Sequence, residues 1–314
     1  LTYVVRRFLL LVVTLIFISV ITFLVFQILP GDPVRTMLGP DADEAQVETL
    51  KQQLGLDQPG HVQYLHLVEG FFQGDMGDSI RFSRPVTGLI MERLPITLSL
   101  AVISLIIVIL VTIPLGIFSA KREKKWSDFF LSSFTQLGMA VPTFFVGMVL
   151  ILFIGMSFQF FTTGGYVPWS ESITGAIGSL ILPALTIALP QIAISFRYVR
   201  NAILEQSKLD YVRTARGKGV SEAIVIYKHV LRNSLIPVVT VFGLILAEVI
   251  AGTIVVEQVF SLPGIGRLLI TAVSYRDFPV VQGIVLYIAL VVVVINFIVD
   301  ILYAVLDPRI RLKS

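Results

Sequence analysis

Six runs of apolar residues, at 8–29, 96–120, 129–153, 175–196, 235–256 and 280–306, alternate with polar segments along this chain. A helix crosses the ~30 Å hydrocarbon core of a bilayer in about 20 residues, at ~1.5 Å each, so each run predicts one transmembrane helix. Pro114, Pro142, Pro183 and Pro190 fall inside these runs. Membrane helices carry proline where neighbouring groups take up the freed backbone, and "GMAVPTFFVG" predicts a kink of the third span at Pro142 and Thr143. Arg6 and Arg7 precede the first run in the manner of a signal peptide. Its apolar part is too long for that role and no small-x-small cleavage pattern follows, so a retained helix is expected.

The polar intervals are unequal. Residues 30–95 form a long one, in which "DADEAQVETLKQQLG" reads as a short amphipathic helix: Val47, Leu50 and Leu54 share a face and Gly55 suits the C-terminal cap. This interval is too poor in apolar residues for an enzyme domain and is read as a cap over the outer mouth of a pore. The interval 154–174 is short and has no Lys or Arg. "SLPGIGRLLITAVSYRDFPVVQG" holds prolines and glycines and reads as a turn, a half-buried helix and a re-entry.

Charge gives these segments a side. With six spans both termini share one face, and the basic residues of that face are Arg6, Arg7, Lys121, Arg122, Lys124, Lys125, Arg197, Arg200, Lys208, Arg213, Arg216, Lys218, Lys228, Arg232, Arg309, Arg311 and Lys313. The other face keeps Arg35, Lys51, Arg81, Arg84, Arg93, Arg267 and Arg276. The positive-inside rule makes the first face cytoplasmic. Composition agrees with a membrane protein: 55% of the residues are hydrophobic and 14% charged, where a soluble domain carries about 25% charged residues. The net charge of +3 and the absence of a basic aromatic array argue against nucleic acid. With no cysteine, disulfides, zinc thiolates and thiol catalysis are excluded.

No stretch reads G-x4-G-K-S/T, and "ARGKGV" fails that pattern. H-E-x-x-H and G-x-S-x-G are absent as well. His61 and His66 lie five apart and read as surface histidines, with a metal site as the alternative. Energy for any uphill movement therefore comes from elsewhere. The segment 205–233 is basic and contains Gly217 and Gly219, which predict a helix end, a sharp turn and a second helix from Ser221 as N-cap. Ile226 with Val230, and Tyr227 with Leu231, form an apolar stripe that can insert into a partner's groove; a merely solvated positive loop is the alternative. Polar side chains within spans face a bundle interior or a cavity, which singles out Gln136, Gln191, Ser195, Asn201, Glu248, Asn296 and Asp300. A buried Glu248 carboxylate can take the amino terminus of a peptide; an interhelical structural pair is the competing reading. Asn296 and Asp300 share a face, where packing or an ion pair near the cytoplasmic end is the simpler role.

Three ordered blocks carry a family likeness: "ILPGDPVRTMLGPDA" with "QQLGLDQP", "DYVRTARGKG" continuing to "KHVLRNSLIPVV", and "VVEQVFSLPGIGRLLITAVSYRDFPVVQG". The chain resembles the inner-membrane permease subunits of ABC importers of the oligopeptide, dipeptide and nickel group, which includes glutathione permeases, and "VDILYAVLDPRIR" closes it in the same style. The likeness runs from end to end. That family's cytoplasmic pattern, E-A-A-x3-G-x9-I-x-L-P, forms a coupling helix. Here Arg213, Thr214 and Ala215 take the E-A-A places, Gly219 the glycine, and His229, Val230, Leu231 and Arg232 the final places. The match is loose except at Ala215, Gly219 and Leu231.

The resemblance implies that residues 208–226, with Asp210, Tyr211, Arg213, Thr214, Ala215, Arg216, Gly217, Lys218, Gly219 and Val220 at their centre, dock into an ATP-hydrolysing subunit. It implies a second, similar permease chain, two ATPases that carry the ATP and magnesium, and an external peptide-binding protein. This chain itself binds no cofactor and performs no chemistry. The fold expected is all-α and membrane-integral, in a bacterial or archaeal cytoplasmic membrane with both termini inside. Residues 1–29 hold the tail and first span, 30–95 the external segment, and 96–314 a five-helix core with the coupling segment at 200–233. Gln136, Pro142, Gln191, Ser195, Glu248 and Asn296 are the expected substrate-pathway residues. The cargo expected is a short peptide, with nickel or glutathione as alternatives. A secondary transporter driven by an ion gradient is the rival class, but no inverted repeat is seen.

Overall fold

Lipid offers the backbone no hydrogen-bonding partner, so an apolar run must satisfy its own N–H and C=O groups and becomes helical. The computed structural model describes residues 2–28, 33–39, 42–53, 55–158, 161 and 164–306. Its helices are α1 (Thr2–Ile28), α2 (Pro33–Leu38), α3 (Glu44–Gln53), α4 (Gly60–Gln73), α5 (Val86–Lys121), α6 (Trp126–Ala140), α7 (Thr143–Leu150), α8 (Ile173–Ser207), α9 (Asp210–Gly217), α10 (Glu222–Ile224), α11 (Leu231–Val259), α12 (Ile265–Ser274) and α13 (Phe278–Leu306). A π-helical turn, Ile151–Gly155, extends α7, and another, Val225–Val230, joins α10 to α11. No strand forms among the described residues; Asp78 and Pro85 make an isolated antiparallel bridge. Leu54 of the amphipathic stripe, residues 29–32, and Arg309, Arg311 and Lys313 lie outside the described residues.

Among the described residues, five helices are long and apolar enough to cross a membrane: Val4–Ile28, Val86–Lys121, Ile173–Ser207, Pro237–Val259 and Phe278–Ile301. A sixth crossing requires the pair Trp126–Ala140 and Thr143–Gly155, which is bent by 105°. The kink expected at Pro142 is thus a full break. Proline drives its predecessor out of the helical region, and Val141 is extended at φ −85° and ψ 123°. Pro142 then opens α7 from φ −61° and ψ 138°. Pro183 and Pro190, by contrast, lie within the uninterrupted α8, Pro183 buried and Pro190 half-buried.

The chain divides into two compact units, one of residues 1–4, 96–263 and 295–314 and the other of 5–95 and 264–294. In the first, α8 is central and packs against α6, α7 and α11. Glycine permits the closest approaches. A Cβ on Gly243 would lie 2.4 Å from Val299 Cγ1, whereas one on Gly252 would meet Ile187 Cγ2 at an ordinary 3.7 Å. Gly243→Ala is therefore expected to cost about 1–3 kcal/mol through overpacking and to lower the melting temperature of the purified protein. Gly252→Ala should change it little, and equal effects in a thermal scan would remove the packing argument.

In the second unit, the segment 30–95 does not pack alone. Val86, Leu89 and Ile90 of α5 form a core with Ile265, Leu268 and Ala272 of α12 and Val280, Val281 and Ile284 of α13. Asp277, fully buried, accepts hydrogen bonds from Ser79 Oγ, from Ile80 N at 3.2 Å and from Arg81 N at 3.0 Å. These bonds hook residues 79–81 to the start of α13. The amphipathic helix expected near 41–55 is α3, with Val47 buried and Gly55 in the left-handed region at φ +66°.

Candidate functional site

The 35-residue α8 is ~50 Å long and continues past its apolar run, so its C-terminal turns lead directly into the basic segment. Lys208 and Leu209 separate it from α9, whose single buried residue is Val212, at 0% exposure. Ala215 and Val220 are half-buried; Asp210, Tyr211, Arg213, Thr214, Arg216, Gly217, Lys218 and Gly219 are exposed. One apolar contact therefore seats a helix that shows its charged face outward.

The helix ends in a Schellman motif, in which the last carbonyls are taken up across a left-handed residue. Val220 N donates to Ala215 O at 3.2 Å and Gly219 N to Arg216 O at 3.0 Å, with Gly219 at φ +77°. Ser221 stands at the N-cap of α10, but its side chain makes no capping bond. Glu222 closes the turn: Arg216 Nη2 and Nε donate to its carboxylate at 2.7 and 3.0 Å. The Arg216 hydrogen bond holds the Glu222 carboxyl below the usual carboxylate range, and the same pairing raises Arg216. A depressed carboxyl keeps this closure in place at neutral pH and releases it as pH falls through the lowered value.

The apolar stripe assigned to a partner is corrected by the structure. Val225, Ile226 and Val230 are buried within this chain, and α9 packs against their π turn. Tyr227 is exposed, with Lys121 Nζ 4.9 Å from its ring centroid. What α9 and its turn present is charge and backbone shape.

Sequence reasoning passed over the group that ties α8 to α5 and α6. Arg200 grips Asp128 with two bonds, Nη2 to Oδ2 at 2.6 Å and Nε to Oδ1 at 2.7 Å, and its Nε also donates to Ser119 Oγ at 3.1 Å. Ser119 Oγ donates to Asp128 Oδ1, and Lys124 N to Asp128 Oδ2 at 3.2 Å. An acidic residue just after a basic run, in the first turn of α6, was the signal available. Also missed was Glu257. The fifth span was expected to stop at 256, but α11 runs to Val259 and buries Glu257 wholly, with Thr97 Oγ1 donating to it at 2.6 Å.

Contacts between helices set the relative register of the expected pathway residues. α8 and α11 are antiparallel: Ser234 Oγ donates to Ala202 O at 3.2 Å near one end, and Gly252 lies against Ile187 farther along. Gln191, four residues after Ile187, is therefore level with Glu248, four before Gly252. α6 and α8 are antiparallel through Asp128–Arg200 and through Gly138 against Ala193. That register sets Gln136 level with Ser195. Successive spans reverse direction, and Gly243 against Val299 sets Asn296 level with Leu246.

Gln136, Pro142, Glu248 and Asn296 are exposed and Gln191 is half-buried. Two expectations change. Glu248 is not a buried carboxylate in this chain but lies on its surface. Ser195 is wholly buried, bonded to Gln191 O at 2.6 Å and paired with Thr112 Oγ1 at 2.9 Å. It ties helices together and opens on no surface. Asn201 is exposed near the end of α8, taking a bond from Arg200 Nη1 at 3.4 Å, and Asp300 is half-buried. Among the described residues no group of three or more His, Cys, Asp or Glu is placed to hold a metal ion.

Residues 112–312 match the family described as binding-protein-dependent transport system inner membrane component, and residues 1–101 match the corresponding N-terminal family. A putative peptide transport system permease protein of Brucella abortus is 42% identical over 297 residues, 95% of either chain. The oligopeptide transport system permease protein AppB of Bacillus subtilis is 40% identical over 312 residues, 98% of this chain and 99% of the relative. The glutathione transport system permease protein GsiC of Salmonella typhimurium is 41% identical over 313 residues, the full length of both.

Proposed function

This chain belongs to the family of binding-protein-dependent transport system inner membrane components, and on that premise we propose that it is the permease subunit of an ATP-driven importer of short peptides. It is a multi-pass membrane protein and a non-catalytic subunit. In this reading ATP and magnesium sit on two partner ATPases, a second similar permease completes the pathway, and an external binding protein delivers cargo. The termini and the segment 200–233 lie on the ATPase side. Residues 30–95 shield the outer mouth, and 96–314 form the transporting core.

One observation carries the proposal: α9 exposes its charged face while Val212 seats it at the end of the most enclosed helix of its unit. A partner that grips residues 208–226, with Arg213, Lys218 and the Gly219 turn at their centre, moves α8 with it. ATP binding then biases the bundle between two packings of similar energy, and access alternates between the two sides. The permeases named for peptides and for glutathione at about 40% identity support the cargo class. Glutathione is itself a short peptide with a free amino group, so it falls within that class.

Uptake of labelled trialanine into proteoliposomes tests the reading. Accumulation is expected only when this chain, a second permease, the ATPases, loaded binding protein and ATP are all present. Accumulation by this chain alone would reject it in favour of a gradient-driven carrier.

A further inference from the structure

Glu248 stands at the middle of the span Pro237–Val259, exposed, and among the described residues no hydrogen bond or ion pair engages it. A carboxylate facing lipid at that depth costs ~2.5–3.5 kcal/mol, so such groups face a cavity or another protein chain. Its neighbours in exposure, Leu244, Ala251, Val255 and Gln258, follow alternating steps of four and three residues and make one continuous face of α11. That face is a seam or a pathway wall, and Glu248 sits in its centre.

Level with it on α8 is Gln191, whose Oε1 is buried and has no hydrogen-bond donor. An orphaned acceptor of this kind is rare enough to require a reason. In the same turn Pro190 withholds the N–H that would otherwise take up the Thr186 carbonyl. The level is thus rich in acceptors. It is also empty of counter-charge: no Lys or Arg occurs in residues 136–142, 187–195, 244–252 or 295–299. At this level these stretches offer Glu248 no partner cation from within the chain.

We propose that Glu248 and Gln191 form a subsite for the ammonium group at the amino terminus of the cargo. The proposal rests on the peptide-import reading and adds to it the chemistry of recognition. An ammonium supplies one positive charge and three donors, which suits a carboxylate beside a lone amide oxygen. Glu248 neutralises the charge, and the half-buried Gln191 turns its unpartnered amide oxygen outward to take a donor. The site stays weak because it is open on one side, and a transport site has to release what it binds.

The test uses the assembled importer in proteoliposomes, with binding protein saturated by trialanine, by N-acetyl-trialanine, or by an acetylated peptide carrying one lysine. Saturation is set beforehand by titrating the binding protein alone. Glu248→Gln is expected to lower trialanine uptake about tenfold or more, and Gln191→Leu about threefold, the losses that follow removal of hydrogen bonds to a charged group. Uptake of N-acetyl-trialanine should change less than about twofold by the same argument. Glu248→Asp should restore part of the trialanine uptake, because it keeps the charge. Direct titration of trialanine into the assembled complex without binding protein should show the same ranking of affinities. Loss shared by the lysine peptide would widen the subsite to any cargo ammonium, whereas loss confined to trialanine ties it to the amino terminus. Equal losses for trialanine and N-acetyl-trialanine, or unchanged uptake in Glu248→Gln, overturn the subsite while the import reading stands. A parent complex that moves none of the peptides overturns the import reading, and the subsite with it.

Discussion

Asp128→Ala is expected to leave Arg200 without its partner and to cost about 3–5 kcal/mol, the penalty for a buried charge whose counter-ion has been removed. The pair is well enclosed, with side-chain exposures of 20% for Arg200 and 7% for Asp128. Removing the carboxylate also takes the acceptor from Ser119 Oγ and Lys124 N, so the end of α5, the loop after it and the start of α6 all lose their tie to α8. The protein recovered from membranes should fall sharply, and uptake with it. Arg200→Ala should do similar damage from the other side.

A double variant, Asp128→Leu with Arg200→Met, discriminates the pair's attraction from the cost of an orphaned charge. Replacing both partners by apolar residues of similar volume is often neutral, so the double variant should fold better than either single one. Thermal unfolding of the parent, Asp128→Leu, Arg200→Met and the double variant gives the coupling directly. Additive losses would show that the two residues act independently and would reject the clamp.

Gly219→Val is expected to abolish uptake while the protein still inserts and accumulates. Nothing lies within 4 Å of a Cβ built at this position, so crowding is not the obstacle. The backbone is: at φ +77° an L side chain pays roughly 1–2 kcal/mol, and a β-branched one fits worst. A turn on the surface escapes that strain by changing shape. The bonds from Val220 N to Ala215 O and from Gly219 N to Arg216 O then open, and the Arg216–Glu222 closure loses its geometry. α9 would keep its place through Val212, yet present the wrong surface to whatever grips it.

Gly219→Asn should retain a good part of the uptake, since Asn tolerates the left-handed region. Gly219→Ala should fall between. Binding-protein-stimulated ATP hydrolysis and peptide accumulation, measured together, read the effect, and normal transport by Gly219→Val would count against docking through this turn.

Much of this protein was legible without coordinates because it follows from what each segment can tolerate by itself. An apolar run in lipid has to be helical, and the described residues of the runs at 8–29, 96–120, 175–196, 235–256 and 280–306 all lie on long helices. Gly217 and Gly219 ended α9 where the turn needed them, and Pro142 marked the weak point of the third run, although its neighbours decided that the weakness became a 105° bend. What stayed hidden was which face of each helix is covered. The spacing of Ile226 and Val230 shows an apolar stripe but not whether it turns inward, and it does. Ser195 and Glu248 look alike as polar residues in apolar runs, yet one is sealed between helices and the other lies open at the surface. Asp128 and Arg200 are 72 residues apart and meet only because α6 and α8 pack antiparallel. Preferences of solvent and dihedral angle belong to one segment at a time and can be read along the chain; the pairing of faces is a property of two distant segments at once, and the tertiary structure alone decides it.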